Sequence, residues 1–274
     1  MAVYPTFPGG RRKAFTLSYD DGWPQDETLI ALMNKYGIKG TFNLNSGDIL
    51  FQQIENPKER YKGHEVAVHG YTHAYLGRIA SHNAAYDVLK DREVLEQTFG
   101  GTVRGYAYAH GSWNTETPQI LKTCGIKYAR SFTRNPQTAN FLLPEDWYFF
   151  APTCEDRDPN LMEYADQFLN MRTIFTQCNL FYIWGHSHFT EAAGLWGTLE
   201  ELFQKISARD DIWCATNIEI YDYLDAFQHL VTSADGKYLY NPTVTTLSLI
   251  HNNGDFANKR VTFEIKPGEE IYLD

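Results

Sequence analysis

The feature that most constrains this chain is an alternation of two periodicities. From Phe15 to about residue 230, short apolar runs of strand character alternate with longer segments whose apolar residues recur at helical spacing. Residues 15–19, 39–44, 65–69, 103–108, 126–129, 180–184 and 212–215 read as strands, and 147–150 as a further short one. Between them lies a helix carrying Leu29, Ile30, Leu32 and Met33, with Gly37 as the residue just past its end. Others follow: one capped by Asn83 and stopped at Gly100-Gly101, then 118–124, 161–177, 199–208 and 217–230. Such alternation requires parallel strands joined by helical crossovers. About seven units predict an α/β fold, a closed or nearly closed barrel rather than an open sheet.

The two ends read differently. Pro5, Pro8, Gly9 and Gly10 argue against regular structure in residues 1–12. From Thr232 the pattern becomes short alternating runs, with Asp235-Gly236 and Asn253-Gly254 as turn signals. The expected organisation is a barrel over 1–230 and a small antiparallel β appendage over 231–274 that packs on it.

Net charge narrows the partners. At −10 over 274 residues, the chain is not expected to bind nucleic acid or an anionic membrane surface. No apolar run reaches the ~20 residues a membrane helix needs. Met1–Gly10 lack an apolar signal core, so a cytoplasmic address is expected, or an extracellular one if a leader has been removed. Cys124, Cys154, Cys178 and Cys214 form no Cys-x-x-Cys pair and read as buried free thiols rather than a thiolate zinc site.

Polar residues suited to chemistry fall just after strands, where barrel enzymes carry their active sites. The first strand ends in Asp20-Asp21-Gly22, and a bend at Gly22 can turn both carboxylates to one place. A cation that takes one and leaves the other as base would separate their roles. His69 and His73, four residues apart, follow the third strand and suit a borderline divalent metal. His186 follows the apolar strand 180–184 and suits a general acid near neutral pH, with His188 as a competitor.

These stretches together resemble the polysaccharide deacetylase family, also called NodB-homology or carbohydrate esterase 4. Ser18-Tyr19-Asp20-Asp21-Gly22 is similar to its Thr-Phe-Asp-Asp-Gly motif. Residues 63–73, ending His69-Gly70-Tyr71-Thr72-His73, resemble its second, and 39–43 resemble the strand between them. The resemblance runs over about 13–230. It implies a distorted (β/α)7-8 TIM-like barrel and one divalent metal, usually zinc, with cobalt, nickel or manganese as substitutes. It implies Asp21, His69 and His73 as ligands, Asp20 as general base and His186 as general acid.

The chain departs from the family in places. If Gly111 matches the glycine of the third motif, Ala107 stands where its arginine belongs and His110 replaces its aromatic. Arg104 would then reach Asp20 from a shifted position, with Tyr108, His110 and Trp184 lining the substrate or oxyanion site. Trp184 replaces the family leucine, and Asp146-Trp147 approximates the fourth motif. The expected activity is removal of N-acetyl or related acyl groups from an amino sugar or oligosaccharide. Rival readings are hydrolysis of a non-sugar C–N bond and a non-catalytic carbohydrate-binding protein on the same barrel.

Overall fold

The computed structural model describes residues 2–132, 141–252 and 260–273. The strands in chain order are β1 (Val3–Thr6), β2 (Lys13–Asp20), β3 (Thr41–Leu44), β4 (Glu65–Val68), β5 (Gly105–Ala107), β6 (Tyr128–Arg130), β7 (Cys154–Glu155), β8 (Asn179–Gly185), β9 (Ile212–Cys214), β10 (Val231–Thr232), β11 (Tyr238–Tyr240), β12 (Leu247–Asn252), β13 (Arg260–Ile265) and β14 (Glu270–Tyr272). The helices are α1 (Asp26–Lys35), α2 (Ile49–Gln52), α3 (Pro57–Arg60), α4 (Ser81–Phe99), α5 (Thr117–Thr123), α6 (Leu161–Asn170), α7 (Ser187–Ala192), α8 (Trp196–Ser207) and α9 (Asn217–Gln228).

The expected barrel is present. Parallel strands follow one another in the order β6-β5-β4-β3-β2-β8-β7, with β9 paired to the start of β2. A single parallel bridge between Arg130 and Phe150 joins β6 to the segment leading into β7 and curls the sheet round. Both faces of β2 are buried, so its alternation does not separate core from solvent. Phe15, Leu17 and Tyr19 pack among helix side chains such as Leu29, Met33 and Phe203. Thr16, Ser18 and Asp20 face a polar lumen, where Thr16 donates to Asn217 (2.9 Å) and Asn43 donates to Ser18 (2.7 Å). Polar groups in that lumen are tolerated because they satisfy one another.

Several boundaries differ from expectation. Residues 3–6 do form a strand: β1 pairs antiparallel with β12 in the sheet β1-β12-β13. Pro5 is accommodated because β1 lies at the sheet edge. α4 begins at Ser81 after Ala80, so Asn83 lies inside the helix. The helix expected over 161–177 ends at Asn170. Residues 147–149 form a 3-10 turn in which Tyr148 N donates to the Asp146 carboxylate, and β7 was not foreseen. Gly37 does follow the end of α1 with φ +65°.

The C-terminal strands make two sheets, β1-β12-β13 and β10-β11-β14. Leu247, Leu249 and Ile265 share a core with the barrel residues Ala14 and Leu180 and with Ile220 and Tyr223 of α9. The Tyr223 hydroxyl ties them together, donating to Thr6 O and accepting from Ser248 N, both at 2.8 Å. The Asn253-Gly254 turn lies outside the described residues, as does half of the loop expected over 131–146. Among the described residues no helix is long and apolar enough to cross a membrane. The four cysteines are free, three of them buried.

Candidate metal centre and active site

Strand register brings the site together at one rim of the barrel. Asp20 is level with Asn43 on β3, and Tyr19 with Gly185 on β8. Leu44 is level with Val68, and Ala107 with Arg130. The residues that continue or end these strands, Asp20, His69, Arg130 and His186, therefore converge. The chain then bends sharply: Asp21 and Gly22 both adopt left-handed backbone, φ +76° and +73°. Asp21 N donates to Asn43 O (2.9 Å), which pins the bend. Four non-glycine residues in the described structure have positive φ, and three of them, Asp21, His73 and His110, are at this rim. Concentrated backbone strain of this kind marks functional sites.

Asp21, His69 and His73 present ligand atoms that all lie within 4.8 Å of one another. Asp21 Oδ1 is 3.6 Å from Nε2 of both His69 and His73, too long for hydrogen bonds. Two donors each ~2.1 Å from one tetrahedral ion stand about 3.4 Å apart, so the spacing fits a shared cation. The His69 Nδ1–H donates to Ala107 O (2.8 Å), which leaves the Nε2 lone pair toward the site. Burial, then the neighbouring His69, pushes the His73 imidazole down to about 4, so it is neutral at pH 7. The donor set therefore fits a borderline divalent metal.

Helix α4 holds the loop between the two histidines. Asp91 accepts from the backbone N–H of His69 (3.0 Å) and of Ser46 (2.7 Å). One turn earlier, Asp87 accepts from Thr72 N (2.9 Å) and its hydroxyl (2.6 Å). Gly70, at φ +90°, is required here: a Cβ would stand 2.7 Å from the Asp87 carboxylate.

Asp20 is buried beside this set. Its Oδ2 pairs with the Arg130 guanidinium at 2.5 Å, and its Oδ1 accepts from Asn43 Nδ2 at 2.8 Å. Burial alone would raise its carboxyl pKa. Arg130, then His69 and His186, together with the Asn43 hydrogen bond, more than reverse this and hold it below the usual value. His186 Nε2 lies 3.9 Å from Asp20 Oδ2 and 3.6 Å from Asp21 Oδ2.

Not every expected residue is here. Arg104 precedes β5 at the opposite end of the barrel, where its guanidinium makes paired 2.7 Å bonds to Asp222 of α9. It cannot serve Asp20, and Arg130 holds that place. Tyr108 is buried away from the rim against Tyr106 and Phe149. Trp147 packs on Tyr221 of α9, so Asp146-Trp147 is not part of the site. Trp184 is at the site, its ring 4.7 Å from the Arg130 guanidinium and 5.7 Å from the His186 ring. His110 is at the edge, 4.3 Å from the His73 ring. His188 turns aside and stacks on Trp23 at 3.8 Å, while Trp23 Nε1 donates to Asp21 Oδ2 (3.3 Å). Arg130 and Asn43 were not foreseen. Arg130 closes the strand that follows residue 125, so the strand-end rule that singled out Asp21 and His186 would have found it.

A parallel barrel with a carboxylate and two histidines together at its rim is the class of fold and site found here, and that donor set could hold a divalent metal. Comparison with known proteins finds that residues 8–129, a little under half of the chain, match the polysaccharide deacetylase family. Over those residues the chain is similar to the polysaccharide deacetylases. Chitin deacetylase 1 of Cryptococcus neoformans is 24% identical over 163 residues, 56% of this chain and 34% of that relative, so the chain spans about a third of its length. Two solved structures share the fold. One is a Mycobacterium smegmatis protein described as a polysaccharide deacetylase (17% identity, TM-score 0.61, 82% of this chain and 94% of that one). The other is the peptidoglycan deacetylase PdaC of Bacillus subtilis (17%, 0.52, 79% and 95%).

Proposed function

We propose that this protein is a metal-dependent deacetylase that removes the N-acetyl group from an amino-sugar residue of a polysaccharide or oligosaccharide. The observation that carries the reading is the spare carboxylate. Asp21, His69 and His73 suffice as a ligand set, yet Asp20 is kept ionised and buried beside them by Arg130. A protein that only held a metal would gain nothing from that arrangement.

Asp21, His69 and His73 would hold the cation, with zinc the natural choice for imidazole and carboxylate donors and cobalt, nickel or manganese able to substitute. When bound, it supplies Lewis acidity to the acyl carbonyl and to water. Asp20 takes a proton from the attacking water as the oxygen bonds to the acyl carbon. His186, across the site, gives a proton to the sugar nitrogen as the C–N bond breaks. The products are acetate and a free amino sugar. Arg130 and Asn43 fix the Asp20 carboxylate in one orientation and hold its charge, so no reorganisation is needed at the moment of proton transfer.

The test is metal content together with acetate release from N-acetylated chito-oligosaccharides, before and after chelation and after zinc is restored. The expected result is about one metal per chain by ligand count, with acetate release lost on chelation and regained with zinc. Stoichiometric metal with no acetate from any acetylated glycan would overturn the reading in favour of a carbohydrate-binding protein.

A further inference from the structure

The bend after β2 brings Trp23 against the ligand Asp21, and its indole Nε1–H donates to Asp21 Oδ2 (3.3 Å). The other carboxylate oxygen, Oδ1, is the one 3.6 Å from Nε2 of both His69 and His73. The two oxygens of one ligand are thus engaged differently. Oδ1 faces the imidazoles, whereas Oδ2 is held by the indole and lies 3.6 Å from His186 Nε2. Groups that hydrogen-bond a ligating carboxylate from outside the ligand set orient it and raise the affinity for the metal.

Trp23 is itself held by a stack. The His188 ring lies 3.8 Å from it, planes 32° apart, and the Phe189 ring stands 3.9 Å beyond. The Arg157 guanidinium sits over Phe189, 4.5 Å from its centre. His188 Nδ1 is buried and has no hydrogen-bond partner among the described residues, so ring contact rather than hydrogen bonding places the imidazole. Burial, then His186, lowers its pKa, and the ring is mostly neutral at pH 7. The stack is one of three ties between the segment after β2 and α7, which follows the neighbouring strand β8. The others are Gln25 Nε2 donating to Glu191 (2.7 Å) and the Ser187 hydroxyl donating to Asp26 (2.6 Å).

We infer that Trp23 is a positioning residue of the metal centre, with His188 as the ring that holds it. The indole N–H fixes the Asp21 carboxylate so that Oδ1 alone is offered to the cation. His188 then serves the ligand side of the site and not the acid, a role for which its sequence position made it a competitor of His186. This rests on Asp21, His69 and His73 holding a metal, and it does not depend on which acyl group or sugar the site takes.

The experiment measures zinc affinity by competition with a chromophoric chelator and records the visible spectrum of the cobalt-loaded protein. Trp23→Phe keeps an aromatic ring against His188 and removes the N–H. It should weaken zinc by about tenfold. It should also change the cobalt bands, because the released Oδ2 can turn to the ion and raise its coordination number. His188→Ala takes the stacking partner away and should weaken zinc by about threefold. His188→Phe, which restores a ring, should recover most of that loss. Parental zinc affinity and cobalt bands in Trp23→Phe would remove Trp23 from the metal centre. Weaker zinc with unaltered bands would mean a loosened fold rather than a released carboxylate, and would also overturn the proposal. So would intact zinc binding with a raised KM for N-acetylated chito-oligosaccharides, which would make the indole a substrate contact. Zinc retained by His73→Ala would instead sink the ligand set. Trp23-dependent zinc binding with no acetate from any acetylated glycan would leave this inference standing and overturn the deacetylase reading.

Discussion

Asp20 and Asp26 lie six positions apart at the same rim, and both are shut away from water, at 2% and 0% exposure. Their surroundings set them apart. Asp20 faces the lumen and meets a guanidinium. Asp26, in the first turn of α1 behind it, meets only hydroxyls: Ser187 donates to one oxygen (2.6 Å) and Tyr61 to the other (2.8 Å). Burial pushes both carboxyls up. For Asp20 the Arg130 charge and its neighbours win, and the pKa falls below the ordinary value. For Asp26 burial wins, and the carboxyl rises to about 7. At equal burial, the partner decides the charge. Asp20 is held as a carboxylate near neutral pH. Asp26, whose carboxyl is about half protonated near pH 7, is a strut that links α1 to Ser187, the residue after His186.

The comparison breaks most visibly at Asp20 itself. Asp20→Asn should keep the metal, because Asp21, His69 and His73 are untouched. It should lower kcat by about 10³-fold, the scale of a lost general base. Acetate release and metal analysis on the same preparation read both, and turnover at the parental rate would remove Asp20 from the mechanism. Removing the cation instead should make Asp20 resemble Asp26 without its hydroxyls. Arg130→Met leaves a buried carboxylate uncompensated, which costs about 3–5 kcal/mol of folding stability. Turnover should fall by about 10²-fold as the carboxylate loses its fixed orientation. Denaturant unfolding at pH 7 and steady-state kinetics check the two effects, and Asn at position 20 should restore much of the stability in the double variant.

How much of this was legible in the sequence follows from locality. The barrel, its rim and the five chemical residues Asp20, Asp21, His69, His73 and His186 lie in short motifs at strand ends, so periodicity and spacing expose them. What the chain pairs across space was not legible. Arg130 and Asn43 meet Asp20 only because strand register places their ends level. Arg104 was the nearer arginine in sequence to the altered third motif. It sits at the start of a strand, however, and the barrel puts strand starts and strand ends about a strand length apart. β1 was hidden for a similar reason: its partner is some 240 residues away, and Pro5 is tolerable only at a sheet edge.

Asp26 gives the next effect in size, and it depends on pH. Its folded-state value, raised from 3.8 to about 7, means the native protein binds more protons than the unfolded chain between those values. Stability from this group is fully present below about pH 4, falls as pH rises, and is gone above about pH 7. The span is on the order of 4 kcal/mol. Asp26→Asn retains a polar partner for both Ser187 and Tyr61, one hydroxyl donating to the amide oxygen and the other accepting from the amide NH2, in a group that cannot ionise. The fall in unfolding free energy between pH 5 and pH 8 should therefore shrink in this variant. A wild-type protein more stable at pH 8 than at pH 5, with the same slope in Asp26→Asn, would show that Asp26 is charged and not neutral.

Arg104 should give the smallest effect, and it tests the contrast from the side of the cations. Arg104 and Arg130 flank adjacent strands, and each pairs with a carboxylate. The Arg130–Asp20 pair is almost fully buried, whereas the Arg104 and Asp222 side chains are 32% and 41% exposed. Water already solvates the second pair, so Arg104→Gln should cost about 1 kcal/mol or less despite its two good hydrogen bonds. It should leave kcat and KM within about twofold, because the pair sits at the end of the barrel away from the metal centre and touches none of its residues. A loss of turnover approaching that of Arg130→Met would mean that the floor of the barrel communicates with its rim through the polar lumen. Register and burial would then not be enough to say which arginine serves the site.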